Sequence, residues 1–111
     1  MNDEVFVCGD LGLLVRIAAL IDALNAGPTI DPLCCPTDNL GRLRRANRID
    51  PAVLAEMTDA RRDEPVLVAC LPDPWVIDGN YRLAKRIQDG FKETEAVLVP
   101  PDLLIPFISP L

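Results

Sequence analysis

The residues best suited to chemistry lie together at positions 78–82, Asp-Gly-Asn-Tyr-Arg, where an apolar segment is followed by a helical pattern. A glycine at position 79 permits a tight turn and lets a ligand approach the backbone closely. The first amides of a helix have no partner within it, and the helix dipole places partial positive charge there. We therefore expect Gly79–Arg82 to bind phosphate or carboxylate.

Two charged side chains flank this turn. Arg82 would lie in the first helical turn, where a cation is unfavourable unless an anion or a carboxylate accompanies it. Its planar guanidinium can hold an oxyanion at two points. Asp78 is the candidate catalytic residue, since a carboxylate here could orient Arg82, bind a metal ion or take a proton. A purely structural interpretation is equally open, in which Asp78 caps the helix and Arg82 pairs with Asp78 or Glu93.

A second group of cations lies upstream, where the arginines at 42, 44, 45 and 48 fall within seven residues. They could follow the phosphates of a nucleic acid, with Arg45 and Arg48 as accessory basic residues for the site at 78–82. Such a run is more often a solvated surface paired with nearby carboxylates. The net charge of −6 also argues against a dedicated nucleic-acid-binding protein, since phosphate-backbone affinity depends on Lys and Arg.

The residue types that are missing exclude several mechanisms. The chain contains no histidine, which excludes Ser-His-Asp and Cys-His catalysis and His-ligated metals. An acid or base must therefore be a carboxylate, Lys, Tyr or Cys. None of the four cysteines forms a Cys-x-x-Cys pair, and each has apolar neighbours. We interpret them as small buried hydrophobic residues in a reducing compartment, and we predict no metal site.

The positions of apolar residues, prolines and glycines predict the elements that position this site. The predicted strands are Glu4–Cys8, an edge strand within Thr29–Cys35, a strand buried on both faces from Pro65 to Leu71, its hairpin partner Trp75–Asp78 after a turn at Pro72–Pro74, and Thr94–Val99. The predicted helices run from Asp10 to about Asn25, from Asp50–Pro51 to about Ala60, and from Asn80 to Gln88 with closure at Gly90. This order predicts one α/β domain over residues 1–111, a small mixed sheet with helices packed on it.

The two ends of the chain suggest where it works and how it assembles. The start, Met-Asn-Asp-Glu, is acidic where a secretory signal would be basic, and the apolar stretch 11–24 is too short for a membrane span. We therefore expect a cytoplasmic protein that does not enter a membrane. The apolar tail Leu103–Ile108 must be covered, either by the chain's own fold or by a second copy in a homodimer.

The segment from Trp75 to Lys85, together with Gly90 and the closing strand Glu95–Pro100, resembles the ParB/sulfiredoxin fold. The resemblance extends back through 48–54 and 64–69, and so covers about residues 48–100. It implies a prokaryotic protein whose motif holds nucleotide phosphates, as with ATP in sulfiredoxins and CTP in the chromosome-partition proteins. The implied phosphate contacts fall on Gly79, Asn80, Tyr81 and Arg82, and the implied cofactor is a nucleoside triphosphate with Mg²⁺.

Two positions depart from that family's motif. Tyr81 stands where most of these motifs have histidine, and Asn80 stands where sulfiredoxins have their catalytic cysteine. The second departure argues against sulfiredoxin chemistry. The chain also has no room for the DNA-binding and dimerisation domains of the partition proteins, and we expect a stand-alone module.

Three functions remain open at this point. The first is a small nucleotide- or phosphate-binding protein, whose activity, if it is an enzyme, would be nucleotide or phosphodiester hydrolysis. The second is a non-enzymatic interaction or regulatory protein of mobile-element or phage type with a degenerate site. The third is a ParB-like nuclease or nucleic-acid adaptor that uses the run Arg42–Arg48.

Overall fold

The structure is a computed structural model that describes residues 5–8, 11–27, 29–44, 49–70 and 73–111. Its strands are β1 Val5–Cys8, β2 Leu13–Arg16, β3 Leu33–Pro36, β4 Val66–Cys70, β5 Pro74–Asp78, β6 Glu93–Val99 and β7 Ile108–Pro110. Its helices are α1 Ile17–Ala26, α2 Thr37–Arg42, α3 Pro51–Glu56, α4 Asp59–Arg62, α5 Asn80–Gln88 and α6 Pro101–Leu104, the last followed by a 3₁₀ turn at Ile105–Phe107.

The strands form two sheets. One has the order β3-β6-β4-β5, in which β4 runs parallel to β6 and antiparallel to β5, and β3 runs antiparallel to β6. The other has the order β1-β2-β7 and is antiparallel throughout. The first is the small mixed sheet that the sequence predicts, and β3 lies at its edge as expected. The protein is thus a mixed α/β domain, with a second sheet that the sequence analysis did not foresee.

Both faces of the four-stranded sheet are buried. Successive side chains of a strand point to opposite sides, so each strand contributes residues to both faces. On one face, Val66, Val68, Val76 and Ala96 pack with Leu83 of α5 and Leu40 of α2. On the other face, Ala69, Trp75, Ile77 and Val99 pack with residues of α1, of α6 and of the smaller sheet. The apolar run in β4 therefore forms a central strand, as predicted.

The prediction of a helix from Asp10 is wrong over its first part. Leu13–Arg16 forms β2, which pairs with β1 on one side and with β7 on the other. Gly12, at a φ of 65°, provides the left-handed turn that folds β2 back along β1. The helical face is confirmed from Ile17 onward, where Ile17 and Leu20 are fully buried. Asp10 lies outside the described residues.

The second predicted helix is divided in two. The Asp50 carboxylate accepts a hydrogen bond from the Ala52 amide at 2.9 Å, and this confirms Asp50–Pro51 as a helix start. The helix ends at Glu56 rather than near Ala60, because the Thr58 hydroxyl caps a new helix by accepting from the Arg61 amide at 3.2 Å. This second cap sets the position of Arg61.

The apolar tail is covered in part by the chain's own fold. Ile108 pairs with Val15 through β7, and Leu104 is fully buried. Leu103 and Ile105 keep exposed fractions of 43% and 58%. The homodimer stays a prediction. None of the helices in the described part of the chain has the length and apolar character needed to span a bilayer.

The interpretation of every cysteine as buried is wrong for Cys34. Cys8 is buried, and Cys35 and Cys70 are half-buried, but Cys34 is exposed on the edge strand β3. Its Sγ donates a hydrogen bond to Oε2 of Glu93 at 3.1 Å. That bond, with smaller effects of burial and of the charge of Glu93, raises the pKa of the Cys34 thiol.

Candidate anion-binding site

The predicted strand, glycine turn and helix are present at residues 74–90. β5 ends at Asp78, Gly79 adopts a φ of 92°, and α5 begins at Asn80. A Cβ atom at position 79 would lie 2.8 Å from Cγ1 of Val66 and 2.9 Å from Nη2 of Arg82. Both the left-handed backbone and the lack of space therefore require glycine here.

The N-terminus of α5 has free hydrogen-bonding capacity. Gly79 is its N-cap, and no side chain among the described residues caps it. The first bond inside the helix runs from the Leu83 amide to the Gly79 carbonyl at 2.8 Å. The amides of Asn80, Tyr81 and Arg82 precede that bond and have no acceptor within the helix. The end of α5 is therefore suited to an anion.

Arg82 is held by its own strand and turn. The residue is 7% exposed, and its Nη2 donates to the Pro65 carbonyl at 3.0 Å and to Oδ2 of Asp78 at 3.3 Å. Its Nη1 lies 3.9 Å from Oε2 of Glu64. The predicted pairing with Asp78 is thus present. The alternative partner, Glu93, instead accepts from Cys34. Nε of Arg82 is buried and has no hydrogen-bond partner in the described structure, so the guanidinium is held through Nη2 and is only partly engaged.

Asn80 and Tyr81 differ in how their polar atoms are satisfied. Asn80 is 8% exposed, and its Oδ1 is buried with no hydrogen-bond partner in the described structure. A side-chain amide can exchange its donor and acceptor ends by a half rotation, and so it can serve either kind of ligand atom. The Tyr81 hydroxyl is satisfied, because it accepts from the Asp50 amide at 3.2 Å. That bond ties α5 to the cap of α3.

A cleft opens at this helix end. This cleft, here called the polar cleft, has a volume of about 240 Å³. Its walls combine the glycine turn with apolar residues of β1, α1 and β5. The lining residues are Val5, Phe6, Ile17, Arg61, Ile77, Asp78, Gly79, Asn80, Tyr81 and Arg82. A middle cleft of about 420 Å³ adjoins it and shares Arg61, Asp78 and Arg82. The structure therefore brings every residue of the predicted turn to one concave surface.

Arg61 is a site residue that the sequence analysis missed. It is exposed, it lines both clefts, and within the described ranges its side chain makes no hydrogen bond or ion pair. Arg62 beside it is fully engaged, with Asp59, Asp63 and Asp89 as partners, and its pKa is raised by hydrogen bonds to Asp63 and Asp89. Adjacent arginines look alike in sequence, and the packing of α4 places Arg61 at the clefts and Arg62 on Phe91.

The basic run does not join this site in the part that is described. The side chain of Arg42 donates to Oδ1 of Asn39 at 3.1 Å on α2. Arg44 forms a parallel bridge with Val76, and its Nε is buried without a partner in the described structure. Neither lines the polar or the middle cleft. Arg45 and Arg48, the predicted accessory residues, lie outside the described residues.

The described residues contain no group of three or more His, Cys, Asp or Glu side chains arranged to hold a metal ion. What they assemble is a helix N-terminus, one unpaired arginine and one arginine–aspartate pair around a cleft. The protein belongs to the class of mixed α/β domains with two sheets. Comparisons of the chain with protein families, with curated proteins and with solved structures find no match.

Proposed function

We propose that this protein binds a phosphate-bearing ligand at the N-terminus of α5, with a nucleoside triphosphate as the first candidate. The observation that carries the proposal is that the end of α5 opens into the polar cleft beside the side chain of Arg61, and that among the described residues neither a cap for this helix nor a partner for Arg61 is present. Helix amides, helix dipole and guanidinium all favour a negative charge at the same place.

The contacts divide between backbone and side chain. The amides of Asn80, Tyr81 and Arg82 would donate to phosphate oxygens, and Gly79 would let the phosphate approach closely. Arg61 would provide the bidentate fork predicted for Arg82, because Arg61 is exposed at the clefts whereas Arg82 is buried and its Nη2 already donates to Asp78 and Pro65. Arg82, held in place by these hydrogen bonds, would then contribute its positive charge to the anion site.

A triphosphate with Mg²⁺ fits the residues that are present. The polar and middle clefts, about 240 and 420 Å³, adjoin one another, and typical ligand sites measure about 300–1,000 Å³. Magnesium in nucleotide sites is usually held by one or two carboxylates together with phosphate oxygens, and Asp78 lines both clefts. Bound magnesium would neutralise phosphate charge. If the ligand is hydrolysed, Asp78 is our candidate for taking a proton from water.

The test compares two exposed arginines. Thermal unfolding would be followed with ATP, CTP, GTP, UTP and inorganic phosphate, each with Mg²⁺, for the parent protein, Arg61→Gln and Arg42→Gln. A ligand at a hundred times its Kd adds about 2.7 kcal/mol to the free energy of unfolding. We expect one nucleotide to stabilise the parent and Arg42→Gln, and to stabilise Arg61→Gln much less. An absence of stabilisation by all five anions in the parent would refute the proposal.

A second candidate, a non-enzymatic interaction protein, is favoured by the Asp78–Arg82 ion pair, since a site arginine bound to its own carboxylate suits a degenerate site. Leu103 and Ile105, exposed on the tail, suit the predicted homodimer. Native mass spectrometry would favour this candidate if it showed a stable dimer and no nucleotide binding. The nuclease or adaptor function has weaker support, because the described part of the basic run lies away from the clefts.

A further inference from the structure

The polar and middle clefts continue as a groove along α1. Ile17 lines the polar cleft, Ile21 lines the middle cleft, and Leu24 and Asn25 line a third, far cleft of about 280 Å³ that also includes Ile21. These positions follow one face of α1, and residues 17–25 of a helix span about 12 Å. The three clefts thus form one elongated surface, here called the α1 groove.

The floor of the α1 groove is a part of the four-stranded sheet that α1 leaves uncovered. Leu67 of β4 and Val97 of β6 are direct neighbours in the parallel pairing, and both line the middle and far clefts. Both are half-buried, whereas Ala69 and Val99, the next residues on the same face, are fully buried. The groove floor is therefore aliphatic and open.

The character of the α1 groove changes along its length. At one end are the first amides of α5, the guanidinium groups of Arg61 and Arg82, and the carboxylates of Asp78 and Glu64. At the other end no charged side chain of the described residues lines the far cleft, whose walls combine Leu24 and Ile30 with the polar side chains of Asn25 and Thr29. Phe6 and Tyr81 line the polar cleft, but no aromatic side chain of the described residues lines the middle or far cleft. Those two clefts offer no ring for a base to stack on, while their floor suits an aliphatic chain.

We propose that the α1 groove binds a single-chain alkyl or prenyl phosphate, with the phosphate monoester at the N-terminus of α5 and the chain over Leu67 and Val97. This inference rests on the proposed function, because it uses the same anion site, and it places an aliphatic chain on the phosphate instead of the nucleoside of the first candidate. Nε of Arg82, a buried donor that lacks a partner in the described structure, supports an anion at this end. The charged end of the groove and its aliphatic floor at Leu67 and Val97 match the two parts of such a molecule. Binding is non-covalent.

The experiment measures how the affinity of the protein for an alkyl phosphate depends on the length of the alkyl chain. Methyl, butyl and octyl phosphate, each below its micelle concentration, would be titrated into the full chain by calorimetry, beside inorganic phosphate. Full burial of a methylene strengthens binding about fourfold, and half-burial about twofold. We expect octyl phosphate to bind about tenfold or more tightly than butyl phosphate, and Arg61→Gln to weaken both.

A variant that blocks the far cleft tests where the alkyl chain of the ligand lies. Thr29 is exposed and lines the far cleft, whereas Asp31 is exposed and does not. Thr29→Trp should reduce octyl phosphate towards the affinity of butyl phosphate and leave methyl phosphate unchanged, while Asp31→Trp should change neither. Equal affinities for methyl and octyl phosphate in the parent would overturn this inference and leave the anion site standing. Failure of every phosphate to bind would instead refute the proposed function.

Discussion

Oδ2 of Asp78 lies 3.3 Å from Nη2 of Arg82, across the glycine turn that joins β5 to α5. The same Nη2 also donates to the Pro65 carbonyl, just before β4. One guanidinium therefore links the end of β5, the start of β4 and the first turn of α5. Because this group is nearly fully buried, it fixes the helix end that we propose as an anion site.

This linkage predicts that Arg82→Ala destabilises the fold. The substitution leaves the partly buried Asp78 carboxylate and the Pro65 carbonyl without their donor, and loss of one partner of a buried pair costs about 3–5 kcal/mol. Because Asp78 keeps some exposure, we expect about 2–3 kcal/mol, measured by urea unfolding. In the double mutant Arg82→Ala with Asp78→Asn, the loss in the free energy of unfolding should be about 1 kcal/mol smaller than the sum of the two single losses. Fully additive effects would show that the ion pair does not act as a unit.

A second prediction concerns the glycine turn. Gly79→Ala forces a Cβ to within 2.8 Å of Cγ1 of Val66 at a φ of 92°, and we expect a loss of about 2–4 kcal/mol in the free energy of unfolding. Gly90 is the matched control, because its φ is 78° but a Cβ there meets nothing within 4 Å. Gly90→Ala should therefore cost only the backbone strain, about 1 kcal/mol. Equal losses for the two variants would contradict the close packing around Gly79.

The Cys34–Glu93 hydrogen bond predicts slow alkylation of an exposed thiol. A raised pKa means less thiolate at pH 8, and only the thiolate reacts with iodoacetamide. Glu93→Gln removes the charged acceptor, so the Cys34 pKa should fall towards its ordinary value and the alkylation rate at pH 8 should rise several-fold. Peptide mass spectrometry separates Cys34 from the other cysteines. Asp102→Asn, an exposed carboxylate change elsewhere, is the control, and an unchanged Cys34 rate in Glu93→Gln would contradict this account.

A fourth prediction concerns Phe91, which lies beneath two cations. The guanidinium carbons of Arg62 and Arg86 lie 4.6 and 4.3 Å from the centre of its ring. Because these contacts join α4 to α5, Phe91→Ala should lower the free energy of unfolding by about 1–3 kcal/mol. Phe91→Leu keeps much of the apolar contact and should recover part of that loss. Identical stabilities for Phe91→Leu and the parent would show that the ring face contributes nothing.

The elements that the sequence predicted correctly are those with local causes. The strand, turn and helix at 74–90 depend on Gly79, Gly90 and an apolar strand that precedes a helical pattern. The start of α3 depends on the Asp50 side chain and the proline beside it. Each of these signals acts within a few residues, and for that reason a single sequence was sufficient to find it.

The features that the sequence did not predict depend on distant contacts. Leu13 and Leu14 fit a helical period as well as a strand, and pairing with β7 at the other end of the chain decides between them. Arg61 cannot be told from Arg62 by residue type, since only the packing of α4 places one at the clefts and the other on Phe91. The Asp78–Arg82 pairing was one of two stated options, and side-chain geometry was needed to choose it.

An NMR titration of ¹⁵N-labelled protein with inorganic phosphate, and then with the nucleotide that stabilises it best, tests whether the N-terminus of α5 binds an anion. We expect saturable shifts at the backbone amides of Asn80, Tyr81 and Arg82 and at the Nε of Arg61, with Arg42 unchanged as an internal control. Shifts confined to other parts of the chain, or no saturable shift at these amides, would contradict an anion site at the N-terminus of α5.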